Sequence, residues 1–93
     1  MSHLVTTLSR MDTSPQALTG RISAEVKRAM KERGLSQREM SRRTGIPLNT
    51  FNARLQSGTT RPFTVGELAL VLDVLNISLV ELAIRAERAA AAA

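Results

Sequence analysis

The 93-residue chain has no cysteine, no tryptophan and no tyrosine, and its two aromatic residues are Phe51 and Phe63. Without cysteine there is no disulfide framework, no thiolate-ligated zinc and no thiol nucleophile, and the redox compartment is left open. An aromatic content of 2% is poor material for a β-sandwich or barrel, so composition points to helices. The single histidine, His3, lies in a polar start expected to be poorly ordered, and no Ser-His-Asp set assembles around it. There is no Gly-rich phosphate loop and no His/Asp/Glu cluster at ligand spacing, so neither a metal nor a cofactor is expected. The chain is therefore not expected to be an enzyme. The longest apolar stretches, such as residues 68–75, are interrupted by charge and fall far short of the roughly 20 residues of a membrane span. The start also lacks the basic and apolar regions of a secretory signal. A soluble, cytoplasmic protein without a membrane partner is the expectation.

What is present is one domain's worth of chain, 43% apolar, enough for one modest core. Thirteen basic residues stand against eight acidic ones, a net charge of +5. The excess is concentrated. Between Arg21 and Arg61 lie ten basic residues and three acidic ones, whereas residues 62–93 carry two basic and four acidic. Such a block suits a polyanionic partner, through long-range attraction and counterion release, although a solvated basic face has the same composition.

Asp12-Thr13-Ser14-Pro15 reads as a turn or helix start, with a short helical turn through Gln16-Ala17-Leu18. From Arg21 the period is helical: Ile22, Val26 and Met30 recur every four residues, and Gly34 closes the run. Ser36-x-x-Glu39, Thr64-x-x-Glu67 and Ser78-x-x-Glu81 each precede an apolar-periodic run and read as capping boxes, which assigns three of the carboxylates to helix starts. Thr44-Gly45-Ile46-Pro47 interrupts within two turns of Ser36. Gly45 can take a positive φ, and Pro47 suits the first turn of the next helix. That helix buries Phe51 and Leu55 and ends at Ser57-Gly58. Leu68, Val71, Leu72 and Leu75 follow at helical spacing up to Asn76, then Leu79, Leu82, Ala83 and Ala86. The pattern predicts five short helices and no sheet, with Leu79, Leu82 and Ala83 packing on the fourth helix.

The informative unit spans residues 37–56: two short helices joined by a tight turn, a helix-turn-helix, whose second helix can enter the DNA major groove while the first crosses the backbone. Ser41 is small enough for close helix approach, and Met40, Ile46, Phe51 and Leu55 hold both helices to the core. The outward face of the second helix then carries Leu48, Asn49, Thr50, Asn52 and Ala53, with Arg54 at its edge. Asn can bond adenine bidentately, Thr offers a hydroxyl, and Leu, Ala or the Thr methyl can meet thymine methyls. Taken without the turn, these residues would read as an ordinary solvated face.

Residues 35–47, Leu-Ser-Gln-Arg-Glu-Met-Ser-Arg-Arg-Thr-Gly-Ile-Pro, resemble the helix-turn-helix of the lambda repressor and Cro superfamily. Residues 61–68 and 75–82 are similar to its fourth and fifth helices. The resemblance covers Ile22 to Leu82 and is nearest to the compact repressors of actinobacteria and their phages. It implies an all-α, compact five-helix lambda-repressor-like domain. It also implies that Gln37 clamps phosphate, that Leu48, Asn49, Thr50, Asn52 and Ala53 read bases, and that Arg61 meets backbone or minor groove. Arg38, Arg42, Arg43 and Arg54 are further candidates for phosphate or minor-groove contact. Thr44 departs from the family's apolar residue, Pro47 from its usual Ser or Thr cap, and Ser57-Gly58 leaves the end of the recognition helix uncertain by one residue.

The expected layout is an N-terminal arm over 1–20, a DNA-binding domain over 21–88 and an Ala-rich tail over 89–93. The expected function is a sequence-specific, double-stranded DNA-binding regulator of the phage-immunity or bacterial repressor type. It would act as a homodimer on a near-palindromic operator, in the bacterial cytoplasm or nucleoid. The surface around Ile84 and Ala86 is expected to form the dimer interface. The alternative is an antitoxin-type module that binds a protein partner as well as DNA.

Overall fold

The computed structural model describes residues 14–92, so His3 and the polar segment 1–12 lie outside the described residues. The chain forms five helices: α1 (Pro15–Glu32), α2 (Gln37–Thr44), α3 (Leu48–Leu55), α4 (Val65–Leu75) and α5 (Leu79–Ala92). No strand occurs among the described residues.

Helix α1 starts earlier than its apolar period suggests. The Ser14 hydroxyl accepts from the Ala17 amide at 3.2 Å, with Pro15 in the first turn. The stretch at Gln16-Ala17-Leu18 is therefore the first turn of an 18-residue helix, and Arg21 sits inside it. The helix ends as Gly34 enters the left-handed region at φ 65°. There the Leu35 amide donates to the Met30 carbonyl at 2.9 Å and the Gly34 amide to Lys31 at 3.2 Å, which satisfies two terminal carbonyls. Asn76, at φ 56°, closes α4 in the same way.

All three predicted cap hydroxyls accept from the amide three residues on, but the boxes differ in their second half. Only at Thr64 does the glutamate reach back, with the Thr64 amide donating to Glu67 Oε1 at 3.0 Å. Glu39 turns instead to Arg42 and Arg43, and Glu81 to Arg85. A guanidinium one turn along offers those carboxylates a charged partner, which displaces the neutral amide.

The core draws on every helix. Val26, Ala29, Met30, Met40, Ile46, Phe51, Leu55, Val71, Leu72, Leu75, Ile77, Leu82 and Ala86 are buried. Phe51 lies at its centre, fully buried, with the Phe63 ring 5.7 Å away. Helix α1 packs on α5 and α3, while α2 packs on α3 and α4. The predicted seat of α5 on α4 is thus replaced by one on α1, where Arg85 bridges Glu32 of α1 at 3.1 Å. Leu82 and Ala86 fill that seam, whereas Leu79 and Ala83 are exposed. The burial of Ala86 removes it from the expected dimer surface. Residues 89–92 continue α5, with Ala89 half-buried.

Candidate nucleic-acid interface

The turn between α2 and α3 is held by backbone and hydroxyl bonds. Gly45 caps α2 at φ 80°, its amide donating to the Ser41 carbonyl at 2.9 Å. The Ser41 hydroxyl donates forward to the Ile46 carbonyl at 2.6 Å. Thr44, where an apolar residue was expected, is buried with its hydroxyl used twice. It donates to the Met40 carbonyl at 2.7 Å and accepts from the Ile46 amide at 3.2 Å. The departure adds a polar staple across the turn. Pro47 stands at the α3 N-cap with no side-chain cap, and its carbonyl accepts from the Phe51 amide at 2.8 Å.

With Phe51 and Leu55 buried, the opposite face of α3 is fixed at 100° per residue. Asn49 and Ala53 are its exposed members, while Leu48, Thr50 and Asn52 are half-buried at its margins. The Asn52 Oδ1 is itself buried and has no hydrogen-bond partner. Gln56, exposed just beyond α3, lies one further turn along the line of Asn49 and Asn52. It is absent from the expected reading face, although its spacing of seven from Asn49 is the signal that places it there.

The cations divide into two groups. Gln37 and Arg38 begin α2, are exposed, and make no side-chain bond among the described residues. Lys27 and Lys31 of α1 join Ser36 and Gln37 in lining an open cleft of about 390 Å³ against Met30, Leu35 and Leu55. This sets two ammonium groups beside the N-terminus of α2, a placement that depends on how α1 crosses the motif. Arg42 and Arg43 both bind Glu39, yet their side chains remain 73% and 53% exposed and the trio keeps a net positive charge. Arg42 first, then Arg43, holds the Glu39 carboxyl below the usual carboxylate range.

Arg54 is occupied within the fold. Its Nε donates to Glu67 Oε1 at 3.0 Å, its Nη2 to Oε2 at 3.4 Å and its Nη1 to the Arg61 carbonyl at 3.1 Å. Only 16% of the side chain is exposed. Arg54 first, then the Thr64 amide, lowers the Glu67 pKa. The Ser23 hydroxyl of α1 donates to the Arg54 carbonyl at 2.9 Å, so this residue ties α1, α3, α4 and the intervening loop together. Arg61, whose carbonyl is held by Arg54 and Thr59, leaves its guanidinium exposed beyond the end of α3. Among the described residues no group of three or more metal-ligating side chains forms, and no helix is long and apolar enough to cross a membrane.

The family model of the Cro/C1-type helix-turn-helix DNA-binding domain matches residues 25–87, well over half of the chain, and the chain belongs to this family. It matches no curated protein and no solved structure. The fold class and the helix-turn-helix read from residues 35–47 are those of a double-stranded DNA-binding domain of the transcription-regulator class.

Proposed function

We propose that the protein is a sequence-specific repressor of the phage or bacterial type, binding as a homodimer to a near-palindromic operator and occluding a promoter. One observation carries this reading: α3 buries Phe51 and Leu55 and turns Asn49 and Ala53 outward, beside the exposed cations of α1, α2 and the Arg61 loop. Asn49, Ala53, Leu48, Thr50 and Asn52 read base edges in the major groove. Gln37, Arg38, Arg42, Arg43 and Arg61 hold phosphates and supply most of the affinity and its salt dependence. Lys27 and Lys31 extend that contact to α1. Arg54 serves by positioning the Arg61 loop, its charge already matched by Glu67.

Selection from a pool of randomised duplexes at near-physiological salt tests this. A two-fold symmetric motif is expected, and with Asn49→Ala the information at one base position per half-site should fall, a loss of about 1–3 kcal/mol against the preferred base. Retention of DNA at low salt with no enriched sequence would overturn the reader, and an Asn49→Ala effect equal on all sequences would remove Asn49 from the reading face.

A further inference from the structure

We infer that Asn52 reads its base pair as a hydrogen-bond donor alone, which directs it to guanine and leaves adenine to Asn49. The inference rests on the base-reading role given to α3 above and assigns a base to each of its two asparagines. In the free domain the two side chains stand differently. Asn49 is exposed and makes no side-chain bond among the described residues, so both ends of its carboxamide are open to DNA. Asn52 is half-buried, on the flank that Leu48 and Leu55 share with it at 100° per residue. Its Oδ1 is buried without a hydrogen-bond partner, whereas its Nδ2 is neither buried nor bonded among the described residues. The amide is thus turned oxygen inward and NH2 outward. Turned about, it would bury an NH2 group with two unmet donors in place of one unmet oxygen, the costlier arrangement.

A buried polar atom without a partner lowers stability, and such local violations concentrate where a side chain serves a ligand. The outer end of Asn52 fixes what that ligand must present. An outward NH2 offers two hydrogens and no acceptor. In the major groove guanine sets two acceptors, N7 and O6, side by side, and thymine offers O4 alone. Adenine has its N6 donor beside N7, and cytosine presents a donor. Guanine therefore takes both hydrogens, while adenine and cytosine oppose donor to donor. The bidentate adenine contact needs an outward oxygen as well, which Asn49 has and Asn52 lacks. The two residues stand about 4.5 Å apart along α3 at 1.5 Å per residue, more than the base step of about 3.4 Å. They can therefore reach separate base pairs.

Selection from randomised duplexes, run with the wild type, Asn49→Ala and Asn52→Leu, tests the assignment. Leu keeps the branched shape of Asn and removes the orphaned oxygen. With Asn52→Leu, a position where the wild type selects guanine should lose its preference; Asn49→Ala should relax a separate adenine. Competition binding of the wild type to its selected duplex gives a check that needs no variant. Replacing that guanine with 7-deazaguanine removes N7 but keeps base pairing, and should weaken binding at least about fivefold, as should adenine there. Thermal denaturation supplies the other readout. Asn52→Leu should raise Tm by about 4 °C or more while it lowers affinity for the selected duplex. The inference is overturned if Asn52→Leu relaxes any base other than guanine, or none. Indifference to 7-deazaguanine also overturns it, as does an unraised Tm, which would mean that Oδ1 has a partner. Failure of the wider reading looks different: a wild type that selects no sequence removes the base-reading role itself, whereas a single half-site removes only the dimer.

Discussion

Replacing Glu67 with glutamine tests the hub that joins the recognition helix to the loop behind it. The amide keeps the length of the side chain and can still accept from the Thr64 amide, as Glu67 Oε1 does at 3.0 Å. What it loses is the charge in two contacts with Arg54, at 3.0 and 3.4 Å. Bonds to charged groups contribute about 1.5–3 kcal/mol, roughly twice a neutral bond, and the shorter contact dominates. The pair retains some solvent access, 16% for Arg54 and 21% for Glu67, so a loss of about 2 kcal/mol is expected. For a domain of this size that corresponds to a fall in Tm of about 10 °C.

The sign of the pH dependence follows from the lowered Glu67 pKa. A carboxyl with a folded pKa below its unfolded value binds fewer protons when folded. Its stabilising contribution is complete above the ordinary value of 4.5 and is lost as pH falls through the lowered folded value. Urea denaturation of wild type and Glu67→Gln should therefore show a constant difference from neutral pH down to the ordinary carboxylate range, closing below it. Glu32 and Glu39, also lowered, titrate in both proteins and cancel in the difference. A difference under about 0.5 kcal/mol at neutral pH, within the scatter of surface substitutions, would refute the hub. So would a difference that persists unchanged in acid.

Thr44→Val should destabilise the domain by about 1–2 kcal/mol although it restores an apolar side chain, because it orphans the buried Ile46 amide; equal or greater stability in urea would show the staple to be dispensable. Gly45→Ala meets no atom within 4 Å but must hold φ 80°, so thermal denaturation should report a loss of about 1 kcal/mol from backbone strain alone. Arg38→Ala should weaken specific and non-specific DNA binding by similar factors and reduce the salt slope by about 1, read from titrations at several salt concentrations; an unchanged slope would place Arg38 off the phosphates.

The helices and the turn were legible in the sequence because their causes are local. Ser36, Thr64 and Ser78 accept from amides three residues on, Gly45 takes the positive φ, and apolar spacing selects the buried faces of α1, α3 and α4; these depend on neighbours within one or two turns. Membership of the helix-turn-helix class followed, since the motif is a contiguous segment of 20 residues, 37–56. Partner choices made across the fold were not legible. Nothing along the chain says that Glu67 meets the guanidinium of Arg54, 13 residues away, or that Arg85 reaches Glu32, 53 residues away. Equally, periodicity shows that α5 is amphipathic but not which helix it meets. Seating α5 on α1 instead of α4 hid Ala86 and left Val80 and Ile84 outward. The same crossing of α1 brought Lys27 and Lys31 to the start of α2. Local geometry is set by bonds that close within a few residues, whereas the surface left for a partner is what remains after distant helices have competed to bury their apolar sides.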